Sequence, residues 1–369
     1  MPISLASSQA AGTAAIITSE IFAHARVAPT SIAFVHDGVA VTYRDFAYAI
    51  LLAREYLQAC EIKRGSIAIV GIRNLRDAWI VLLALRSLGV HTMAVNAAEQ
   101  IAHLTLADVC CVVTASEAAS AHFADMTAQR GWQDIRLPDD VFARSIDGLS
   151  LDDPTDPAPG GHAMLTSGTT GNNKMVLVGS DAETQRAMNL ILTHELTKRS
   201  VMYLGAIGAW TAGGFNRPIA AWRVGGQAIF EQRPEARHAF LQGPTTDATL
   251  TITTLAELLQ TLPANMRRRD DMNFHIVGGA LPWPIARLTI ERITRRLYNN
   301  LGSTEAGTIA STLIEKPGDQ QWYDILPHRH VEIVDAADKP LPRGEMGFVR
   351  VQLLGGDVAG YHGDDAASR

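Results

Sequence analysis

Between Thr166 and Lys174 the chain reads Thr-Ser-Gly-Thr-Thr-Gly-Asn-Asn-Lys, nine residues without an apolar side chain. Glycines let backbone N–H groups converge on an anion, Ser and Thr hydroxyls add donors and a candidate Mg2+ ligand, and the lysine brings a mobile positive charge. The combination suits phosphate groups. It is not a Walker-type loop, which needs Gly-Lys-Ser/Thr before a helix: here Asn173 precedes the lysine and the apolar Met175-Val176-Leu177-Val178 follows it. Composition alone leaves a flexible Ser/Thr/Gly surface turn as the other reading.

The segment from Met164 to Val178 resembles the phosphate-binding signature of the adenylate-forming superfamily, the group of acyl- and aryl-CoA synthetases, peptide-synthetase adenylation domains and firefly luciferase. Leu301-Gly302-Ser303-Thr304-Glu305, about 130 residues further on, resembles that family's motif of aromatic, Gly, any residue, Thr, Glu. By itself a Glu after a glycine-rich turn also reads as a helix-start charge. Between the two, Ile276-Val277-Gly278-Gly279-Ala280-Leu281-Pro282 is similar to the family's adenine-side turn, or is a plain strand-ending turn. With the upstream Val41-Thr42-Tyr43-Arg44-Asp45, the resemblance covers roughly residues 28 to 361.

The resemblance implies Mg2+-dependent attack of a carboxylate oxygen on the α-phosphorus of ATP, giving an acyl-adenylate and pyrophosphate, then transfer to the thiol of CoA or of a carrier-protein phosphopantetheine. No protein nucleophile is needed. The barrier lies in bringing two anions together and stabilising charge on phosphate, which positioning, cations and fixed donors achieve. Carried over by position, Thr166, Ser167, Gly168, Thr169, Thr170, Gly171 and Lys174 serve the phosphates, and Thr169 with Glu305 serves Mg2+. Thr304 is expected at the α-phosphate or substrate carboxylate, beside Gly302 and Ser303. Asn299 is expected against adenine, with Asn300 as its neighbouring alternative, and Gly279-Ala280 on the other side of the base. Leu301 departs from the aromatic that stacks on adenine, and Asn172-Asn173 from the usual proline, so weak ATP binding is expected.

Amino-acid-activating relatives place an aspartate opposite the substrate ammonium. The corresponding stretch, residues 204–214, holds no acidic residue, and an unpaired buried ammonium is costly. An aryl or acyl carboxylic acid is therefore expected, with Trp210, Gly214 and Gly278 as candidate lining. A non-catalytic nucleotide- or acyl-binding module derived from the same fold is the alternative.

Composition agrees with these expectations. A chain of 369 residues with 47% apolar content fills a sizeable core in two or three domains. A net charge of −6 with scattered Lys and Arg argues against nucleic-acid binding. Cys60, Cys110 and Cys111 form no disulfide framework, and the histidines show no zinc-binding spacing. The first 18 residues lack the charged start of a signal peptide, and Arg86 and His91 interrupt the apolar stretch from Trp79 to Val95, so a cytoplasmic chain without a membrane span is expected.

Thr42 with Asp45 predicts a capped helix to about Ala59, Ser180 with Glu183 another to about Glu195, and the Ala78–Leu88 stretch a third. Short apolar runs at 67–70, 90–95, 109–113, 227–230, 249–253 and 274–277 alternate with helical segments, the pattern of largely parallel sheets covered by helices. The expected fold is thus α/β: one α/β subdomain over 1–163, a second over 164–310 carrying the motifs, and a small distorted antiparallel β-barrel over 311–369. Family members continue through a ribose-binding aspartate into a mobile C-terminal domain carrying a lysine. This chain reaches Arg369 without either, so a shortened large domain or a natural half-protein is expected, poorly active alone.

Overall fold

The computed structural model describes residues 16–102, 104, 106, 108–166, 174–358 and 360–363. In chain order its main elements are α1 (Ile17–Val27), β1 (Ile32–His36), β2 (Val39–Thr42), α2 (Tyr43–Ala59), β3 (Ile67–Val70), α3 (Leu75–Ser87), β4 (His91–Ala94), β5 (Val109–Thr114), α4 (Glu117–Arg130), β6 (Gln133–Arg136), β7 (His162–Thr166) and β8 (Lys174–Val178). There follow α5 (Ser180–His194), β9 (Val201–Gly205), α6 (Ala212–Arg223), β10 (Gln227–Phe230), β11 (Asp247–Thr251), α7 (Ile252–Thr261), β12 (Asn273–Val277), α8 (Trp283–Arg292), β13 (Leu297–Ser303), β14 (Gly307–Leu313), β15 (Val331–Val334) and β16 (Phe348–Val351).

Capping chemistry starts several of these helices. Thr42 accepts from the Asp45 N–H to open α2, Asn74 does the same for α3, Thr211 for α6 and Thr251 for α7. The Ser180/Glu183 expectation fails in detail: α5 begins at Ser180, Gly179 is its cap, and no side chain caps it. Glu183 is instead buried against Arg86 of α3.

Two sheets result. The first has the order β6-β5-β3-β4-β7-β8, parallel except for the β7/β8 hairpin at one edge. The second runs β14-β13-β12-β11-β9-β10-β1-β2, with parallel pairing inside and an antiparallel pair at each end. The expected boundary at 163/164 runs through β7, and pairing crosses it both ways: β1 lies parallel to β10 in the second sheet, while β8 belongs to the first. α3 is buried on nearly all sides, because it lies between the sheets. Its Trp79 meets Trp222 of α6 edge-on at 4.9 Å and stacks on Phe215 at 5.8 Å.

The barrel expected over 311–369 is not formed. β15 and β16 pair antiparallel as a two-stranded sheet, and among the described residues no further strand joins them to close a ring. Of their eight residues only Val334 is buried, so the pair encloses no core of its own.

Candidate active site

The strand ends make the site. Six parallel strands of the second sheet bring Thr251 at the end of β11, Val277 and Gly278 after β12, and the end of β13 to one edge, where a doubly wound sheet leaves its crevice. Helices α5 and α6 and the β7/β8 hairpin close a cavity of about 800 Å3 over these ends.

Thr166 and Lys174 face one another as the last pair of the β7/β8 ladder and both line this cavity. The stretch between them carries Ser167, Gly168, Thr169, Thr170 and Gly171, which lie outside the described residues. Gly302, Ser303, Thr304 and Glu305 line the cavity at the β13–β14 junction. There Gly302 is held by space: a Cβ would stand 2.4 Å from the Gly307 carbonyl oxygen.

Tyr361 joins the two motifs. Its hydroxyl donates to Glu305 Oε1 at 2.8 Å, and the Lys174 ammonium sits over its ring, 4.6 Å from the centroid. The Glu305 carboxylate raises the Tyr361 hydroxyl above its ordinary pKa, so it stays a donor. The backbone behind Glu305 is fixed by Arg186, one turn along α5 from Glu183, which donates to the Thr304 carbonyl at 2.9 Å, to the Glu305 carbonyl at 2.5 Å and to the Gly356 carbonyl at 2.9 Å. Burial pushes the Arg186 guanidinium down to about 10, opposed by the Asp357 carboxylate, so it remains charged at neutral pH. Arg329 pairs with Asp357 at 2.5 Å and also donates to the Ala306 carbonyl. The Val358 N–H then returns to the Glu305 carbonyl at 3.0 Å, which brings Tyr361 over the cavity.

Several expected residues sit elsewhere. Asn299 is fully buried, with its amide donating to the Tyr323 hydroxyl at 3.1 Å, and does not line the cavity; Asn300 does. Adjacent residues of a strand point to opposite faces, so only one of the pair faces the cavity. On the other wall the lining residue is Gly278, at φ 87°, rather than Gly279 or Ala280. Trp210 lines the cavity. Gly214 does not; it permits close packing, since a Cβ there would stand 2.0 Å from the Gly208 carbonyl oxygen.

The sequence by itself assigns no role to Tyr361, Arg186, Arg329 or Arg217. Arg186 and Arg217 carried a readable signal, each a long cation on a helix face otherwise turned to the core. Tyr361 and Arg329 carried none, because their partners are brought to them only by the tertiary fold.

For Mg2+, the donor set fits: Glu305 offers a carboxylate on the cavity wall, and this cation is usually held by one or two carboxylates together with substrate phosphates and water. A separate trio, His194, Asp247 and His275, is buried outside the cavity lining with ligand atoms within 4.8 Å of one another. Asp247 is already hydrogen-bonded by Thr246 at 2.7 Å and Asn273 at 2.9 Å. Burial holds both histidines below their ordinary pKa, and the charge of Arg217 lowers them further. The same positive charge opposes a cation among them. Among the described residues no helix is long and apolar enough to cross a membrane.

The sequence model of the family described as "AMP-binding enzyme" matches residues 21–353. Among solved structures the chain is similar to o-succinylbenzoate CoA synthetase from Bacillus subtilis in complex with its acyl-adenylate intermediate, at 18% identity and a TM-score of 0.77, over 95% of this chain and 72% of that one. It is also similar to ATP-bound MatB from Rhodopseudomonas palustris, at 18% identity and TM-score 0.76, over 95% and 73%. The amide bond synthetase McbA from Marinactinospora thermotolerans matches at 22% identity and TM-score 0.77, over 95% and 73%. No curated protein matches the chain in sequence.

Proposed function

The chain belongs to the AMP-binding enzyme family, and from that premise we propose that it activates a carboxylic acid with Mg·ATP as an acyl-adenylate, for transfer to the thiol of CoA or of a carrier-protein phosphopantetheine. The observation that carries the reading is the meeting of Lys174 and Glu305, from two motifs distant in sequence, on the ring and hydroxyl of Tyr361 at one cavity wall.

In the proposed reaction a carboxylate oxygen of the acid bonds to the α-phosphorus and the bond to the pyrophosphate oxygen breaks. Lys174 offsets phosphate charge as the two anions approach, and the Thr304 hydroxyl, at the cavity surface, donates to the reacting phosphate or carboxylate. Thr166, Gly302 and Ser303 line the nucleotide end, and Asn300 with Gly278 flanks the base. Mg2+, held by Glu305, supplies charge stabilisation of several kcal/mol when bound. Glu305 is the sole carboxylate among the described lining residues, which supports an acid without an α-ammonium group.

The test is calorimetric titration with a sulfamoyl analogue of an acyl-adenylate, in the native chain and in Lys174→Ala and Glu305→Gln. Binding by the native chain, weakened at least tenfold in Lys174→Ala, is the expected result. A folded chain that binds neither the analogue nor AMP leaves a scaffold without an adenylate site and rejects the proposal.

A further inference from the structure

The cavity holds two cations: Lys174, which lies over the Tyr361 ring, and Arg217, which no described residue pairs. Among the described residues four arginines are buried: Arg86, Arg186, Arg217 and Arg329. Arg86 pairs with Glu183 at 2.5 Å, Arg329 with Asp357 at 2.5 Å, and Arg186 donates to three backbone carbonyls. Arg217 differs: it is 4% exposed, lines the cavity, and has no hydrogen bond or ion pair with any described residue. Its neighbour Asn216, 6% exposed and also lining the cavity, likewise has no side-chain hydrogen bond with any described residue.

The helix that carries them explains the position. α6 is apolar on its core side, with Phe215, Ile219 and Trp222 buried, and Thr211 caps its start. Gly213, one turn before Arg217, leaves the guanidinium room on the cavity side, since a Cβ on Gly213 would stand 3.3 Å from its Nη1. Burial pushes Arg217 down to about 10 and no carboxylate opposes that shift, yet at neutral pH it still bears its charge. A buried, unpaired guanidinium is costly, and the geometry of its fork matches a carboxylate.

Building on the adenylate-forming reading above, we propose that Arg217, with Asn216 beside it, receives a second carboxylate of the substrate, so that the acid activated here is a dicarboxylic acid. One carboxylate reaches the α-phosphorus at the Thr304 end and loses an oxygen's charge to the new P–O bond. The distal carboxylate stays ionised against Arg217 and takes no part in bond making. The aliphatic or aromatic body of the acid then lies along the apolar part of the lining, Trp210, Ile207 and Leu190. A monocarboxylic acid of the same length would leave Arg217 buried and unpaired, which makes the site reject it.

The test uses pairs of sulfamoyl adenylate analogues that differ only at the far end of the acyl chain, a carboxylate in one and its methyl ester in the other, over a series of chain lengths. The full chain is titrated with each pair, with AMP as the control. At the best-fitting length the native chain is expected to bind the acid form at least tenfold more tightly than the ester, a difference of about 1.4 kcal/mol. Arg217→Met is expected to bring the ratio to about one, and Arg217→Lys to keep part of it. Equal binding of acid and ester by the native chain, with AMP still bound, overturns the inference and leaves the adenylate reading standing. A preference that persists in Arg217→Met overturns it as well. Loss of AMP and of every analogue in the native chain overturns both.

Discussion

Replacing Arg86 by Met tests the anchor behind the site. Arg86 and Glu183 face each other at 2.5 Å with side chains 0% and 1% exposed, so neither charge reaches water. Arg86 also donates to the Gly160 carbonyl at 2.9 Å, on the segment that feeds β7, and Glu183 accepts the Ile17 N–H at 3.0 Å. Removing Arg86 leaves a buried carboxylate whose nearest remaining cation, Arg223, is 4.0 Å away and already engaged by Glu20 at 2.8 Å. Breaking one side of such a pair costs about 3–5 kcal/mol, against a total stability of about 5–15 kcal/mol for a folded protein. The double variant Arg86→Met with Glu183→Leu removes both charges and leaves the Ile17 N–H and the Gly160 carbonyl without these partners, at about 1–3 kcal/mol each. Urea denaturation of the native chain and the variants reads all of these, with the slope as the check that the folded state is unchanged. A single-variant loss under about 1 kcal/mol, or a double variant as unstable as the sum of its singles, would refute the reasoning.

Three further outcomes are expected. Tyr361→Phe removes the donor that holds Glu305 and keeps the ring under Lys174, so Mg·ATP affinity should fall severalfold with little change in the melting temperature; an unchanged affinity contradicts the bridging role. Gly214→Ala drives a Cβ into the Gly208 carbonyl and should destabilise the chain by about 1–3 kcal/mol in the same denaturation assay. Burial pushes His162 down to about 3 and holds His194 and His275 below their ordinary value of 6.5, so the unfolded chain takes up protons that the folded chain refuses. The His162 contribution is full above about pH 6.5 and falls as pH drops towards 3, by about 1.4 kcal/mol per pH unit, while Glu20, which burial raises to about 7, acts in the opposite sense; His162→Asn should reduce the acid-side loss of stability by about 1.4 kcal/mol per pH unit, and a pH profile unchanged by that substitution would sink the account.

What could be read before the structure followed local rules. Thr42 and Asp45 set the start of α2, and the runs Ile67–Val70 and Gln227–Phe230 are strands to the residue, because capping and apolar periodicity act over a few neighbours. The two motifs at Lys174 and Glu305 were visible because their residue types are constrained by phosphate and metal chemistry. What was hidden depends on partners distant along the chain. Glu183 reads as a capping residue until Arg86 arrives beside it, and Asn299 and Asn300 are interchangeable until the register of β13 is fixed against β12. The entry of β1 and β2 into the second sheet has no local signature at all; it follows from the parallel match of Phe34 with Ala228. A barrel was expected over residues 311–369 by resemblance, where the described residues contain only the β15/β16 pair.

The most direct measurement is calorimetric titration of the full chain with ATP in the presence of Mg2+ and again with the metal chelated. The account predicts saturable binding that weakens at least tenfold on chelation, and a Glu305→Gln variant that binds weakly under both conditions. Binding that is indifferent to Mg2+ and to Glu305, or no binding by a folded sample, would contradict it.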